Sequence, residues 1–335
     1  MHKGYFRLCD TSSVIIKKML LLTISLCIIL SGTTIAYAGG KVESKVQISG
    51  IPQRIVVFPL FAEEMLLEMI GPDRIVYVGH EYWENAEAYT PTMELTKHIK
   101  GNYWQNSDIG EIRDLKPDLV VLLKEFFSDY TEVFPELEQA KIPVLFLDPP
   151  KTIQDIKNTL FIIGEAVSAS EKAAQMAQDM EAALAQITQL VSNIPEEKRV
   201  HAIYCGIDFP YEDSEEYYYF PNNFPLVARI AGVINASGSD TYYEHVSNEG
   251  LTKWDPDLIT VSPFYLDTDG SLYDIGDDYL EESITYILNN QKLSGITAIR
   301  IRNVHPLSLY ESQFIVKSVA DLARLAYPDL FSEKK

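Results

Sequence analysis

The stretch Thr152–Asn193, TIQDIKNTLFIIGEAVSASEKAAQMAQDMEAALAQITQLVSN, decides the fold. Two helical segments show in it. Thr152 stands where an N-cap belongs, and Ile153, Ile156, Leu160 and Ile163 follow on one face. Ser168 and Glu171 have capping-box spacing and are expected to open the second segment. There Ala173, Ala177, Met180, Leu184, Ile187 and Val191 recur at alternating spacings of four and three, forming a single apolar stripe. The segment holds no Gly or Pro and is dense in Ala, Glu and Gln, all good helix formers. Its roughly 23 residues, at about 1.5 Å each, span about 35 Å. Strand-and-helix alternation lies on both sides of it. The segment therefore reads as a rigid spacer between two α/β lobes, although an amphipathic helix inside one larger domain has the same periodicity.

A chain of 335 residues is long enough for two such lobes, each with its own core. The N-terminus reads as a secretory signal over residues 1–38. Lys17 and Lys18 precede the apolar run Met19–Leu30, and Ala36-Tyr37-Ala38 offers a small-residue cleavage site. The run is short for a membrane span. Cys27 follows Leu26 rather than a small residue, which does not suit lipid attachment; Met19 is an alternative start. Only Cys205 lies beyond the signal, so the mature chain has no internal disulfide and no cysteine-rich metal site. Residues 1–38 hold 4 of the 28 Lys/Arg and 1 of the 48 Asp/Glu, leaving a formal charge of −23 (24 − 47). Such a field argues against nucleic acid or an anionic membrane as partner.

The first lobe is expected over residues 50–150, the connecting helices over 151–193 and the second lobe over 197–335. Arg54–Phe58, Ile75–Val78, Leu119–Leu123 and Val144–Leu147 are continuous apolar runs that suit parallel strands buried on both faces. Ligands bind such sheets outside the carboxyl ends of the strands. Pro59, Leu60 and Phe61 follow the first run; His80, Tyr82 and Trp83 follow the second; Tyr103 and Trp104 lie in the irregular stretch beyond. Aromatics clustered on loops suggest a surface for something large and partly apolar, or packing beneath a long loop. In the second lobe Arg199–Cys205, Leu258–Val261 and Ile296–Ile301 read as strands, and Phe224–Gly232 and Tyr310–Tyr327 as helices. Glu111-Ile112-Arg113-Asp114-Leu115-Lys116-Pro117-Asp118-Leu119-Val120 is echoed by Glu249-Gly250-Leu251-Thr252-Lys253-Trp254-Asp255-Pro256-Asp257-Leu258-Ile259. In each, a Glu opens a short helix, Pro-Asp breaks it and an apolar strand follows.

In the order and spacing of these elements the chain resembles the substrate-binding proteins of ABC importers for iron–siderophore complexes, haem and cobalamin. The resemblance covers nearly all of residues 51–331. It rests on Pro52-Gln53-Arg54-Ile55-Val56, Gly71-Pro72-Asp73-Arg74-Ile75, the Glu111 block, Gly164 with the long helix, Ala231-Gly232-Val233-Ile234-Asn235, Val246-Ser247-Asn248-Glu249 and the terminal Tyr327-Pro328-Asp329-Leu330-Phe331.

The resemblance implies two Rossmann-like lobes joined by a single long backbone α-helix, with the ligand cleft between them. It implies a monomeric, non-enzymatic protein outside the cytoplasm, without an intrinsic cofactor, that takes a small-molecule metal chelate. It also implies docking to an ABC transporter permease through one surface Glu per lobe, by motif position Glu111 and Glu249; helix capping alone would also account for either, and in the context of the resemblance docking is the preferred reading of both.

Two departures bear on the ligand. Pro59-Leu60-Phe61 stands where many members carry a small polar residue and a Thr-Glu pair. The acidic and aromatic stretch Phe209–Phe220, with Phe209, Tyr211 and Tyr219, stands where many have a Gly-rich turn. Tyr and His ligate iron and aromatic faces stack on macrocycles, which makes these residues, His80 and His305 ligand candidates. A molybdate or tungstate binder of the same fold and a sensing module without transport are the alternatives. No Walker loop, His-Glu-x-x-His or Gly-x-Ser-x-Gly supports an enzyme.

Overall fold

A computed structural model describes residues 36–37, 40–41, 48, 50–79, 90–101, 109–124, 137, 139–206, 216–219, 223–239, 244–266, 272–274 and 276–332. In the N-terminal unit, β1 (Ala36–Tyr37) pairs antiparallel with β2 (Gly40–Lys41).

Among the described residues the main unit contains two large sheets and a separate two-stranded one. In the first, β3 (Ile55–Val57), β4 (Ile75–Val78), β5 (Leu119–Leu123) and β6 (Val144–Leu147) are all parallel, in the order β4-β3-β5-β6. The four apolar runs form this sheet because a strand covered on both faces has no polar side to show. Val56, Tyr77, Val120, Leu122 and Val144 from the strands join Ile112, Leu137 and Ile142 in one core cluster. Helix α1 (Leu60–Ile70) follows β3, and the short helices α2 (Met93–Thr96) and α3 (Ile109–Asp114) precede β5.

Helices α4 (Ile153–Ala166) and α5 (Ser170–Val191) form the connection. The Thr152 hydroxyl accepts the Asp155 N–H as expected of an N-cap. All six stripe residues of α5, from Ala173 to Val191, are buried. The capping box does not form. Ser168 adopts the left-handed conformation (φ 60°), and α5 begins two residues later, at Ser170. The Ala169 N–H donates to Gly164 O (2.6 Å) and the Ser168 N–H to Glu165 O (3.2 Å), the paired bonds of a Schellman motif. Ser168 thus closes α4 instead of opening α5. The helices pack side by side because residue 164 is Gly: a Cβ there would lie 2.5 Å from Ala173 Cβ. Helix α5 starts beside the first lobe, where Lys172 Nζ meets Glu68 Oε1 of α1 at 2.9 Å. It ends in the second, where a Cβ at Gly232 would come within 3.0 Å of Val191.

The second sheet holds β7 (His201–Gly206), β8 (Glu216–Tyr219), β9 (Ile234–Asn235), β10 (Glu244–Ser247), β11 (Leu258–Val261) and β14 (Val304–Pro306), in the order β10-β8-β7-β11-β14 with β9 also beside β7. Its parallel strands run β9-β7-β11-β14, and β8 and β10 add antiparallel to one side. In chain order both parallel sets read second, first, third, fourth, so the lobes repeat one topology. Between these elements come α6 (Phe224–Ile230), α7 (Asn248–Trp254), the pair β12 (Phe264–Leu266) and β13 (Leu272–Asp274), and α8 (Gly276–Asn289). Helix α9 (Thr297–Arg300) precedes β14, and α10 (Ile315–Ala326) and α11 (Pro328–Phe331) follow it.

Two expectations are corrected here. Ile296–Ile301 is not a strand: Thr297–Arg300 is helical, held by Thr297 N–H to Asp255 Oδ1 (2.7 Å) and Ala298 N–H to Pro256 O (2.9 Å). The helix expected over Tyr310–Tyr327 begins at Ile315 and ends at Ala326, leaving residues 310–314 outside it.

Candidate ligand cleft and docking faces

In the first lobe the order β4-β3-β5-β6 reverses direction at β3, so the crevice for a ligand opens between the carboxyl ends of β3 and β5. Phe58 extends β3 past its formal end, its N–H donating to Val121 O at 3.1 Å. Its ring lies 5.9 Å from that of the fully buried Tyr77. Pro59 follows as the N-cap of α1, and its carbonyl accepts the N–H groups of Ala62 and Glu63 at 3.0 Å each. Pro59 and Phe61 are buried and Leu60 is half-buried, so this wall is apolar. Gly79 ends β4 against the same backbone. A Cβ there would sit 2.2 Å from Phe58 O, so only glycine fits.

Helix α1 buries every residue from Phe61 to Leu67, including Glu63 and Glu64. Glu64 is 1% exposed, and the hydroxyls of Ser312 and Thr90 reach its carboxyl. Its Oε1 nevertheless has no hydrogen-bond partner among the described residues. Burial above all, with smaller contributions from the charges of Glu63 and Glu311, pushes this carboxyl up to about 7. Ser312 belongs to the second lobe, as does Gln313, whose Nε2 donates to Glu64 O at 3.4 Å. Glu64 therefore sits on the seam between the lobes.

The second lobe offers Tyr204 and Cys205 from β7, Ser262 after β11, and Ser308 and Tyr310 after β14. The ring of Tyr204 stacks on Phe224 at 5.9 Å. Burial holds the phenol of Tyr204 well above its ordinary range and pushes the Cys205 thiol up to about 12, so both stay protonated at neutral pH. His305 lies within β14, opposite Thr260. Its Nε2 is 3.1 Å from Asn303 Oδ1, two residues back toward the amino end of the strand. Burial keeps this imidazole below its usual pKa and hence neutral.

His80, Tyr82, Trp83, Tyr103, Trp104, Phe209 and Tyr211 lie outside the described residues, and of Tyr219 only the backbone in β8 is described. Among the described residues no three of His, Cys, Asp and Glu converge as a metal-ligand cluster.

Glu111 and Glu249 each lie in the first turn of a short helix, α3 and α7. Each helix is followed by a left-handed residue directly before Pro: Lys116 (φ 50°) before Pro117, and Asp255 (φ 41°) before Pro256. Glu111 is ion-paired with Lys100, while Glu249 is exposed. At α7 the capping work falls to Ser247, whose Oγ accepts the Gly250 N–H at 3.2 Å.

Glu64, Thr90, Ser312 and Gln313 are the residues that sequence reading missed. A signal existed for Glu64. It lies four residues after Leu60 and three before Leu67, in phase with the buried side of α1.

A family model described as periplasmic binding protein matches residues 55–307. The chain belongs to that family: it is an extracytoplasmic solute-binding protein and not an enzyme. It is 24% identical over 230 residues to the uncharacterized ABC transporter substrate-binding lipoprotein YvrC of Bacillus subtilis (strain 168), covering 68% of each chain. Among solved structures it resembles the periplasmic heme-binding protein RhuT from Roseiflexus sp. RS-1 in apo form, with TM-score 0.65, 19% identity, and coverage of 84% of this chain and 100% of the other. It is similarly close to the Haemophilus influenzae molybdate periplasmic binding protein MolA, with TM-score 0.65, 17% identity, and coverage of 85% and 89%. At these identities the two structures speak for the fold alone.

Proposed function

We propose that the protein captures a metal chelate of the iron–siderophore, haem or cobalamin type and delivers it to the permease of an ABC importer. The observation that carries this reading is the amino end of α1. A helix N-terminus at the carboxyl end of a first strand is where a bare oxyanion would be held, by N–H groups and the positive end of the dipole. Here that end is capped by Pro59, lined by Leu60 and Phe61, and followed at once by the buried acids Glu63 and Glu64. That end offers an anion apolar carbon rather than side-chain hydroxyls. A large, partly apolar complex suits the wall better, and the sequence supplies His80, Tyr82, Trp83, Tyr103, Trp104, Phe209, Tyr211, Tyr219 and His305 as its candidate contacts.

Delivery is assigned to Glu111 and Glu249 on their equivalent helices. Residues 1–38 supply the export signal. Reversing both charges (Glu111→Arg with Glu249→Arg) should abolish chelate uptake by cells while leaving binding by the isolated protein intact. Uptake that survives the double reversal would remove the docking assignment.

A further inference from the structure

We propose that Glu64 is a proton-controlled tie between the two lobes: as a neutral acid it closes the seam against residues 310–313, and its ionisation loosens that seam. Two buried oxygens on this seam, Glu64 Oε1 and Gln313 Oε1, have no hydrogen-bond partner among the described residues. Gln313 is oriented by its Nε2, which donates to Glu64 O. An ionised Glu64 adds only acceptors to such a place, and buried acceptors without donors are costly. A proton on the carboxyl supplies a donor to this seam, where Gln313 Oε1 is a buried acceptor without one. The tie does not depend on which solute the cleft takes.

The surroundings favour that proton. Glu63 on the same helix and Glu311 from the facing segment are both acidic. Tyr310, which also faces Glu64, is held protonated by burial, its phenol pushed up to about 12. Lys317 of α10 lies 5.9 Å from the Tyr310 ring centroid and pairs with Asp321 at 3.0 Å. Lys172 pairs with Glu68 at the other end of α1. Among the described residues, none of the groups acting on the Glu64 carboxyl is a cation. Burial, opposed by the two hydroxyls and aided by the neighbouring acids, brings its titration near neutrality, within reach of ordinary changes in the medium.

Hydrogen–deuterium exchange of the amides in α1 and in residues 312–319, normalised to intrinsic rates, tests the tie between about pH 5.5 and about pH 8. Protection in the wild-type protein should fall as pH rises through neutrality, by up to about tenfold per pH unit. Glu64→Gln, neutral at every pH, should keep its protection throughout. Ser312→Ala removes a hydroxyl that favours the carboxylate, and should move the wild-type midpoint upward. Identical pH profiles for the wild type and Glu64→Gln would overturn the proposal. If Glu64→Gln does not fold, an unmoved midpoint in Ser312→Ala overturns it.

Discussion

Asp118 and Asp257 anchor the two sheets at the same point. Asp118 accepts the N–H groups of Gln53 and Arg54 at 2.8 Å each, where the chain enters β3. Asp257 accepts the His201 N–H at 3.0 Å, where the chain enters β7. Each also donates its own N–H across the same junction, Asp118 to Arg54 O (3.0 Å) and Asp257 to His201 O (2.8 Å). The next residue then pairs with the first strand, Leu119 opposite Ile55 and Leu258 opposite Ala202. The Pro-Asp echo in the sequence is thus a joint that sets the register of the first and third strands in each lobe.

Removing either carboxylate should destabilise its lobe. Asp118→Ala and Asp257→Ala are each expected to cost about 1–3 kcal/mol in urea unfolding, with Asp118 at the upper end because it serves two donors. Asp118→Asn, which keeps one acceptor, should cost less than the alanine variant.

Gly164 should behave as a contact residue rather than a flexible one. Gly164→Ala drives a Cβ to 2.5 Å from Ala173 Cβ and is expected to cost about 1–3 kcal/mol. Ala173→Gly in the same chain should recover part of that loss. A double-mutant cycle with a coupling energy near zero would show that α4 and α5 do not meet there.

The pH dependence of global stability has a definite sign at Glu64. Its folded pKa is raised from 4.5 to about 7, so the folded state binds the extra proton between those values. Stability from this group is fully present below about pH 4.5 and is lost as pH rises toward about 7, with a slope of at most about 1.4 kcal/mol per pH unit. The difference in urea midpoint between wild type and Glu64→Gln across that window reads the contribution directly.

Docking should be electrostatically asymmetric. On the proposed docking role, a cationic group of the partner has to displace Lys100 from Glu111, whereas Glu249 is exposed. Lys100→Ala is therefore expected to strengthen association with the permease, and the gain should shrink as salt is raised. No such gain would indicate that Glu111 does not face the partner.

The sequence made the architecture legible where periodicity and burial agree. The α5 stripe is one case, and the four continuous apolar runs of the first sheet are another. It misled where tertiary contacts choose between local options. Ile296–Ile301 has strand composition, yet Asp255 and Pro256 supply the bonds that make Thr297–Arg300 a helix. Ser168 suits an N-cap, but the end of α4 needed a left-handed residue first. Glu64 went unnoticed because an acid in a helix is usually solvated, and its burial depends on a second lobe nearly 250 positions away, at Gln313 (|i−j| = 249).

Native mass spectrometry with absorption spectra on residues 39–335 tests the central claim most directly. The ligands are ferric siderophores, haemin, cobalamin, molybdate and tungstate. One chelate bound at unit stoichiometry, with neither oxyanion retained, is the expected result. Retention of molybdate or tungstate with no chelate bound would contradict the chelate reading while leaving the fold intact.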